Sequence, residues 1–443
     1  MRVAVILLLL VLARPAFGLT MAAALAQTLQ NNPQIQQAQT VLAEAAGHRL
    51  IFRARALPNV VLGGVAGVQG GNRAGEPPVQ PFAFAQGNLR QPLFDAAIPA
   101  SLRRGELAGL IAAQQLNVTL VEQLHIARIA FLTALYDRSL EALGRSQRER
   151  LDANMRSEEA RYQAGTVDRG ALAAATLQAR ELDPQIDEAR HAYGAAILQL
   201  AAAAGRDLGP GASLPSPDGA LEFHRADFSL PNETAAALER RADLQLARLL
   251  VRTSGEDERI ARAGYYPRLE LTVFGRYLPS TNLRQASSGS AQRSDDIVSS
   301  ELSPGAGGTW RLLDNGQVRG AVLRAQALRE LNQVQLQRLE QSVRRELAAL
   351  QNNFRSLASR HDSLQQAVDV AENNLAVVEK SWQEGLASKL AFRTAETALL
   401  ETRRGLLDAA FQQNVALAEW DRATGRYFQF TDENATSVHN HKP

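Results

Sequence analysis

The sequence RYQAG at residues 161–165 recurs in this chain as KSWQEG at residues 380–385, and the two copies share an aromatic residue, a glutamine and a glycine. The two glycines are 220 residues apart, and each is followed forty residues later by a Gly-Arg pair. Near the start of each copy, residues 32–36 match residues 241–245 with an offset of 209. A repeat of roughly 200 residues is too long for a solenoid, whose units have about 20–50 residues. We therefore predict two copies of one architectural unit.

The pattern along each copy predicts an entry helix, two strands, a long helix and a return helix. In the second copy, Leu269, Leu271 and Val273 alternate with mostly polar residues, which is the period of a strand with one apolar face. Glycine- and proline-rich turns separate the two strands of each copy, so each pair is a predicted β-hairpin. We divide the chain into a signal peptide (1–18), a first repeat (19–208, hairpin about 57–94), a connecting segment (209–230), a second repeat (231–430, hairpin about 267–313) and a polar tail (431–443).

The two long helices are predicted at about 100–163 and about 316–384, contain no proline, and end at Gly165 and Gly385. At about 1.5 Å per residue, each is on the order of 100 Å long, whereas the entry and return helices are about half that length. An entry helix and a return helix placed end to end therefore match one long helix. The second long helix carries a coiled-coil-like apolar seam, namely Leu336, Leu339, Val343, Leu347, Leu350, Phe354 and Leu357.

The first 18 residues have the features of a secretory signal peptide. An apolar run at residues 3–12 follows Arg2, and Ala16 and Gly18 supply the small residues that a signal peptidase reads. No later stretch holds the roughly 18 to 20 uninterrupted apolar residues of a spanning helix, so we predict that the exported chain enters a membrane only as strands. The chain has no cysteine, which excludes disulfides, thiolate metal sites and a lipid-modified N-terminal cysteine.

Composition also limits the function. Of 48 basic residues, Arg2 and Arg14 leave with the signal peptide, so 46 basic residues balance 46 acidic ones and no basic surface for nucleic acid is predicted. We find no nucleophile motif, phosphate-binding glycine loop or paired carboxylates, and predict neither enzymatic activity nor a cofactor. His439 and His441 lie in the polar tail without other clustered ligands, so we predict no metal site.

Four strands cannot close a barrel by themselves. In hydrocarbon, an open sheet edge leaves backbone N–H and C=O groups unpaired at a cost of several kcal/mol each, so several chains must combine their strands. Three chains would supply twelve strands, an even number of ordinary size for an outer-membrane barrel. The polar strand faces would then line a lumen that continues into a helical tube.

These motifs, taken in their order, resemble the TolC-like outer-membrane efflux proteins. The stretch LTMAAALAQTLQNNP at 19–33 resembles the N-terminal signature of that family, and the glycine tips at 161–165 and 385–388 resemble its two helical-hairpin tips. The sequences LFD at 93–95 and LLD at 312–314, after the two hairpins, fit the same pattern. The resemblance covers essentially the whole chain after the signal peptide.

The resemblance implies a mainly α fold with a membrane β-barrel: a homotrimer with a twelve-stranded barrel in the outer membrane and a long α-helical tunnel across the periplasm. It implies an exit duct that conducts substrates passively in a tripartite efflux or type I secretion system. The implied partners are outer-membrane lipid, a periplasmic adaptor (membrane fusion) protein and an inner-membrane pump. The transported substrate and the cognate adaptor and pump are not implied by the sequence.

By the same resemblance, the hairpin tips dock the adaptor and form the gate; the residues concerned are Gly165, Thr166, Val167, Gly385, Leu386, Ala387 and Ser388. Tyr162 and Trp382, one turn before the two glycines, are either packing residues of the tips or direct adaptor contacts. The family often has aspartates six and nine residues after the second tip glycine, but this chain has Ala391 and Thr394 there. An acidic ring therefore cannot be carried over. Three nearby carboxylates remain as alternative charges at the tunnel entrance or as ordinary solvated helix-end charges: Asp168, Glu384 and Glu396.

A second class of protein also fits the pattern. In a soluble periplasmic coiled-coil scaffold or adaptor, the hairpins would form a small soluble β domain. The apolar strand face with Leu269, Leu271 and Val273 distinguishes the two, because it faces lipid in a channel and a protein core in a scaffold.

Overall fold

The computed structural model describes residues 18–71, 79–206, 214, 216–278 and 299–426 of the 443-residue chain. The first repeat contains α1 (Met21–Asn31), α2 (Pro33–Ala54), β1 (Asn59–Gly70), β2 (Val79–Phe94), α3 (Ile98–Gln163), α4 (Arg169–Glu181) and α5 (Asp183–Ala203). The second contains α6 (Leu230–Arg240), α7 (Ala242–Arg262), β3 (Arg268–Leu278), β4 (Ser299–Thr309), α8 (Gln317–Gln383) and α9 (Lys389–Thr424). The predicted polar tail, and the predicted signal peptide apart from Gly18, lie outside the described residues.

The first entry helix is two helices rather than the single one predicted. Asn32 adopts an extended backbone conformation (φ −64°, ψ 125°), because a residue before proline is disfavoured in the helical region and Pro33 has no N–H to donate. The Asn32 side-chain oxygen accepts hydrogen bonds from the N–H groups of Gln34 and Ile35, at 2.8 and 3.2 Å. Asn32 therefore ends α1 and caps α2.

The buried side chain of Asn32 also ties the entry helices to the end of the return helix. Its amide nitrogen donates to the Ala203 carbonyl at 2.8 Å and to Gln123 Oε1 of α3 at 3.0 Å. In the second repeat, Arg241 lies at the matching break between α6 and α7, and it donates to the Ala423 carbonyl at 3.2 Å and to Glu346 Oε2 of α8 at 2.7 Å. Each repeat thus closes through one polar side chain at the entry-helix break.

The return helices differ between the repeats. The first is divided at Leu182 into α4 and α5, with Pro184 in the first turn of α5, as expected for a residue that cannot donate a helical hydrogen bond. The second, α9, is continuous over 36 residues. Both end at a glycine with positive φ, Gly205 (+63°) and Gly425 (+71°), which is the left-handed conformation that commonly ends helices.

The four strands form one antiparallel sheet in the order β1-β2-β3-β4, so β2 of the first repeat pairs with β3 of the second. The register places Leu62, Gly87, Gly275 and Leu302 in one row across the sheet. The adjacent row contains Gly63, Gln86, Arg276 and Glu301. Since successive residues of a strand point to opposite faces, one face is apolar and the other is polar. The two leucines of the apolar row are 80% and 73% exposed.

The described chain divides into two compact units. The sheet unit, residues 39–71, 79–115, 243–278 and 299–339, contains the sheet and the helical segments that adjoin it. Within it, Arg103 and Arg104 of α3 pair with Glu256 and Asp257 of α7, each at 3.0 Å. These ion pairs fix the start of α3 against α7.

The helical unit, residues 18–38, 116–206, 214, 216–242 and 340–426, has an aromatic centre. Phe228 stacks on Trp420 with ring centroids 4.6 Å apart, and Phe354 meets the same indole edge-on at 5.7 Å. The predicted seam of α8 is buried in this unit at Val343, Leu347, Phe354 and Leu357. Within the described residues, one helix, α3, includes a segment long and apolar enough to cross a membrane by length and composition, but 44% of that segment is buried inside the chain.

Candidate functional site: the two helical-hairpin tips

The first tip joins α3 to α4 through a glycine turn. Gly165 has φ +70°, and its N–H donates to the Tyr162 carbonyl at 3.0 Å while the N–H of Thr166 donates to the Arg161 carbonyl at 2.9 Å. This pair of bonds is the Schellman motif, which satisfies carbonyl groups at a helix end. The turn then leads directly into Asp168, whose Oδ1 accepts from the Ala171 N–H at 2.8 Å.

The second tip has the same backbone design. Gly385 has φ +77°, its N–H donates to the Trp382 carbonyl at 3.0 Å, and the N–H of Leu386 donates to the Ser381 carbonyl at 2.8 Å. Ser388 caps α9 by accepting from the Ala391 N–H at 3.1 Å. In each tip, two residues thus separate the left-handed glycine from the N-cap residue of the next helix.

The side chains around the two turns differ. At the second tip, Leu386 and Leu390 are 79% and 74% exposed, and Trp382 stacks on Phe392 with centroids 5.1 Å apart. At the first tip, Tyr162 is 43% exposed, and the turn residue Thr166 uses its hydroxyl to donate to the Arg161 carbonyl at 2.9 Å. The second tip therefore presents aliphatic surface where the first presents mainly polar groups.

Just behind the tips, a buried ionic cluster joins the first helical hairpin (α3 and α4) to the second helical hairpin (α8 and α9). The Glu158 carboxylate of α3 lies 2.5 Å from Lys389 Nζ of α9 and 3.1 Å from Arg161 Nη1. Burial opposes ionisation of Glu158, but the hydrogen bond from Lys389 and the charges of Lys389 and Arg161 outweigh it and lower the pKa of this carboxyl. Burial also lowers the pKa of the Lys389 ammonium, in spite of its pairing with Glu158. Both groups are therefore held by a desolvated contact between α3 and α9.

The three predicted entrance charges occupy different places. Asp168 is exposed, and its carboxylate caps α4. Glu384 is exposed at the C-terminal end of α8. Glu396 is buried, its carboxylate lies 3.1 Å from Arg150 Nη2 of α3, and burial raises the pKa of this carboxyl although Arg150 and Arg393 act against it. Glu396 is thus part of the contact between the hairpins, and its role as an entrance charge stays a prediction.

Sequence reasoning did not identify Glu158, Lys389 or Arg150. The partners in each pair are more than 200 residues apart and lie on different helical hairpins. Local sequence spacing therefore could not predict these pairs. Across the described ranges, no group of three or more His, Cys, Asp or Glu side chains is placed to hold a metal ion.

Comparison with known proteins gives two kinds of match. Residues 234–426 match the family model of the outer membrane efflux protein. The fold matches the outer membrane protein VceC of Vibrio cholerae, with 18% identity, a TM-score of 0.76, and coverage of 91% of this chain and 96% of VceC. It also matches the outer membrane channel CmeC of Campylobacter jejuni, with 16% identity, a TM-score of 0.77, and coverage of 95% and 88%. Among curated proteins, no sequence matches the chain.

The sheet with two faces, the long hairpins and these matches define the class of the protein: it has the fold of an outer-membrane channel protomer. More specifically, residues 234–426 in its second repeat are similar to the outer membrane efflux protein family. The resemblance and the fold class predicted from the sequence are thereby confirmed. Proteins of this family are transport ducts rather than enzymes, and they lie in the outer membrane and extend into the periplasm.

Proposed function

We propose that three copies of this chain form the passive exit duct of a tripartite efflux or type I secretion system. The observation that carries the proposal is the four-stranded sheet, which has an apolar face, a polar face and two open edges. Among the described residues, the outer edges of β1 and β4 have no strand partner. In lipid, these backbone groups require partners, and the strands of two further copies would provide them in a twelve-stranded barrel.

The two faces of the sheet support this arrangement. Leu62 and Leu302 would face lipid, whereas Gln86, Arg276 and Glu301 would line the lumen. Next to the sheet, the exposed Trp310 donates from Nε1 to the Tyr265 carbonyl at 3.1 Å. Tryptophan and tyrosine are enriched where membrane meets water, so this pair would mark the periplasmic edge of the barrel.

The tips are proposed to form both the gate and the docking surface for a periplasmic adaptor, which would connect the duct to an inner-membrane pump. The Glu158–Lys389 and Arg150–Glu396 pairs hold the first hairpin to the second hairpin within one chain. Opening the periplasmic end by moving one hairpin against the other would break these buried contacts. The exposed Leu386 and Leu390 of the second tip offer aliphatic surface for an adaptor.

The native mass of the protein extracted from outer membranes in mild detergent, corrected for bound detergent, tests the duct. A trimer that conducts ions in planar bilayers is the expected result. A monomer or dimer recovered from the soluble periplasm would overturn the proposal in favour of the coiled-coil scaffold.

Conductance then tests the gate. Lys389→Met removes the partner of Glu158 and should raise the fraction of open channels, whereas Arg403→Met removes an exposed ion pair with Glu372 in the second hairpin and serves as the control. Equal conductance in the two variants would rule out a gating role for the buried pair.

Docking can be tested because the chain has no cysteine of its own. Leu386→Cys carrying a photo-crosslinker should capture a periplasmic adaptor in cells, identified by mass spectrometry. Val370→Cys, on an exposed position of the body of α8, is the control. Capture of the same adaptor from both positions would contradict docking at the tip.

A further inference from the structure

Leu19, the residue that follows the predicted signal peptide, is held between the helices and the connecting segment. Its N–H donates to the Ser216 carbonyl at 2.7 Å, and its carbonyl accepts from the Asp218 N–H at 2.9 Å. Its side chain is buried in a cluster with Ala130, Phe131 and Leu135 of α3 and with Leu200 of α5. The first residue of the expected mature chain is therefore an anchored residue.

The connecting segment is itself fixed at this point. Arg138 of α3 donates from Nη1 to the Pro217 carbonyl and from Nη2 to the Gly219 carbonyl, the latter at 3.0 Å. Pro217 is fully buried. The Ser216 carbonyl, which accepts from Leu19, therefore belongs to a segment whose Pro217 and Gly219 carbonyls are bound by Arg138.

Gly18 lies directly against the side chain of Asp218. A Cβ atom on Gly18 would be 2.4 Å from Asp218 Cβ and 3.1 Å from its Cγ, so the carboxyl carbon lies within about 5 Å of the Gly18 backbone. Asp218 is exposed, and its carboxylate has no ion-pair partner within the part of the chain that the structure describes. An acceptor carbonyl and an unpaired carboxylate thus converge where residue 18 joins residue 19.

We propose that removal of the signal peptide creates a docking site for the chain's own new N-terminus, in which the α-ammonium group of Leu19 donates to the Ser216 carbonyl and pairs with the Asp218 carboxylate. The inference rests on the proposed export. Signal peptidase would hydrolyse the Gly18–Leu19 peptide bond with one water molecule, leaving a carboxylate on Gly18 and an amine on Leu19 that takes up a proton. Departure of Gly18 frees the space beside Asp218 for the additional N–H groups.

Two consequences follow. Only cleavage after Gly18 would place the new ammonium group at this site. The unprocessed chain has a neutral amide at Leu19 and cannot form the ion pair. Processing therefore tightens the connecting segment against α1 and α3, in the way that capture of an N-terminal amine by backbone carbonyls fixes other chain ends.

The experiment begins with the N-terminal sequence of the protein from outer membranes, which should start at Leu19. A second protein carries Ala-Gly inserted between Gly18 and Leu19, so that cleavage after Gly18 leaves Leu19 with an amide nitrogen. The readout is the rate of trypsin cleavage after Arg225, which lies in the connecting segment and reports its local opening. The insertion should raise this rate about twofold to fivefold at low ionic strength, the range of an exposed ion pair, and less in 1 M salt.

Asp218→Asn provides the matched test. It should raise the cleavage rate by a similar factor, and in the inserted protein it should add nothing, because the two changes break the same pair. Glu188→Gln, at an exposed carboxylate of α5, is the control and should leave the rate unchanged. A mature chain that starts elsewhere, an insertion without effect, or effects of insertion and Asp218→Asn that multiply would each overturn the inference. The assay does not depend on conductance, so a failed duct proposal remains distinguishable from a failed docking proposal.

Discussion

The two entry-helix breaks achieve the same closure with different chemistry. In the first repeat, the neutral Asn32 joins the Ala203 carbonyl and Gln123, whereas in the second the charged Arg241 joins the Ala423 carbonyl and Glu346. The two carbonyls that accept these hydrogen bonds are equivalent, since each lies two residues before the left-handed glycine that ends its return helix. The two repeats therefore share the position of the entry-helix break and the carbonyl that accepts the hydrogen bond. They differ in the side chain that donates it and in the charge of that side chain.

The largest expected effect on stability comes from adding a methyl group to the glycine that ends each return helix, where that glycine lies close to the entry-helix break. In the first repeat, a Cβ on Gly205 would lie 2.1 Å from the Asn31 carbonyl oxygen, whereas a Cβ on Gly425 would be 3.4 Å from Arg240. Gly205→Ala should therefore cost about 3 kcal/mol or more, through left-handed strain and a clash with backbone, and Gly425→Ala only about 1 kcal/mol. Urea unfolding of the two variants, followed by tryptophan fluorescence, checks the order; equal midpoints would show that the repeats do not differ here.

The next prediction separates the two donors. Asn32→Ala and Arg241→Ala should each cost about 2 kcal/mol at low ionic strength, because each leaves a buried carbonyl without its donor. In 1 M salt, the loss in Arg241→Ala should shrink, since part of it is an ionic contact with the partly exposed Glu346, whereas the loss in Asn32→Ala should not change. Salt dependence of equal size in both variants would contradict the distinction.

A third comparison concerns one position of the long helices. At the offset of 220 that relates the tips, the buried Asp137 of α3 corresponds to the buried Leu357 of α8. Burial raises the pKa of the Asp137 carboxyl from 3.8 to about 6. The folded state thus prefers the neutral carboxyl, whose stabilising contribution is complete below about pH 4 and is lost as the pH rises through 6.

Asp137→Leu gives the first repeat the residue that the second repeat has at this position. The variant should therefore not lose stability as the pH rises through 6. Between pH 4 and pH 7, the free energy of unfolding of the wild type should fall by about 2 kcal/mol more than that of the variant. Asp187→Asn, at an exposed position of α5, is the control and should follow the wild type. Parallel pH profiles of wild type and Asp137→Leu would contradict the buried-carboxyl interpretation.

The smallest effect is expected at the tips. A Cβ would meet nothing within 4 Å at Gly165 or at Gly385, so only the left-handed backbone is strained in Gly165→Ala and Gly385→Ala. Each should cost about 1 kcal/mol, and the two should agree within about 0.5 kcal/mol. A clear difference in unfolding midpoint would show that the two turns are not equivalent.

Local chemistry explains what the sequence could predict. The tip turns follow from Gly165 and Gly385, whose cap bonds join residues only a few positions apart. The break at Asn32 was missed, although Pro33 marks it, because the helical periodicity continues on both sides. The roles of Arg241 and Lys389 were beyond sequence reasoning, since their partners lie 105 or more residues away and are defined only by packing.

The closing contacts also order events in time. Asn32 and Ala203 are 171 residues apart, and Arg241 and Ala423 are 182 apart. At a synthesis rate of about 5–20 residues per second, Ala203 is synthesised roughly 10–35 s after Asn32, and Ala423 follows Arg241 after a similar interval. Each closure waits for the last helix of its own repeat and for nothing later. The first repeat therefore contains both partners of its closing bond before any residue of the second repeat is needed, and the chain can acquire its two halves in succession.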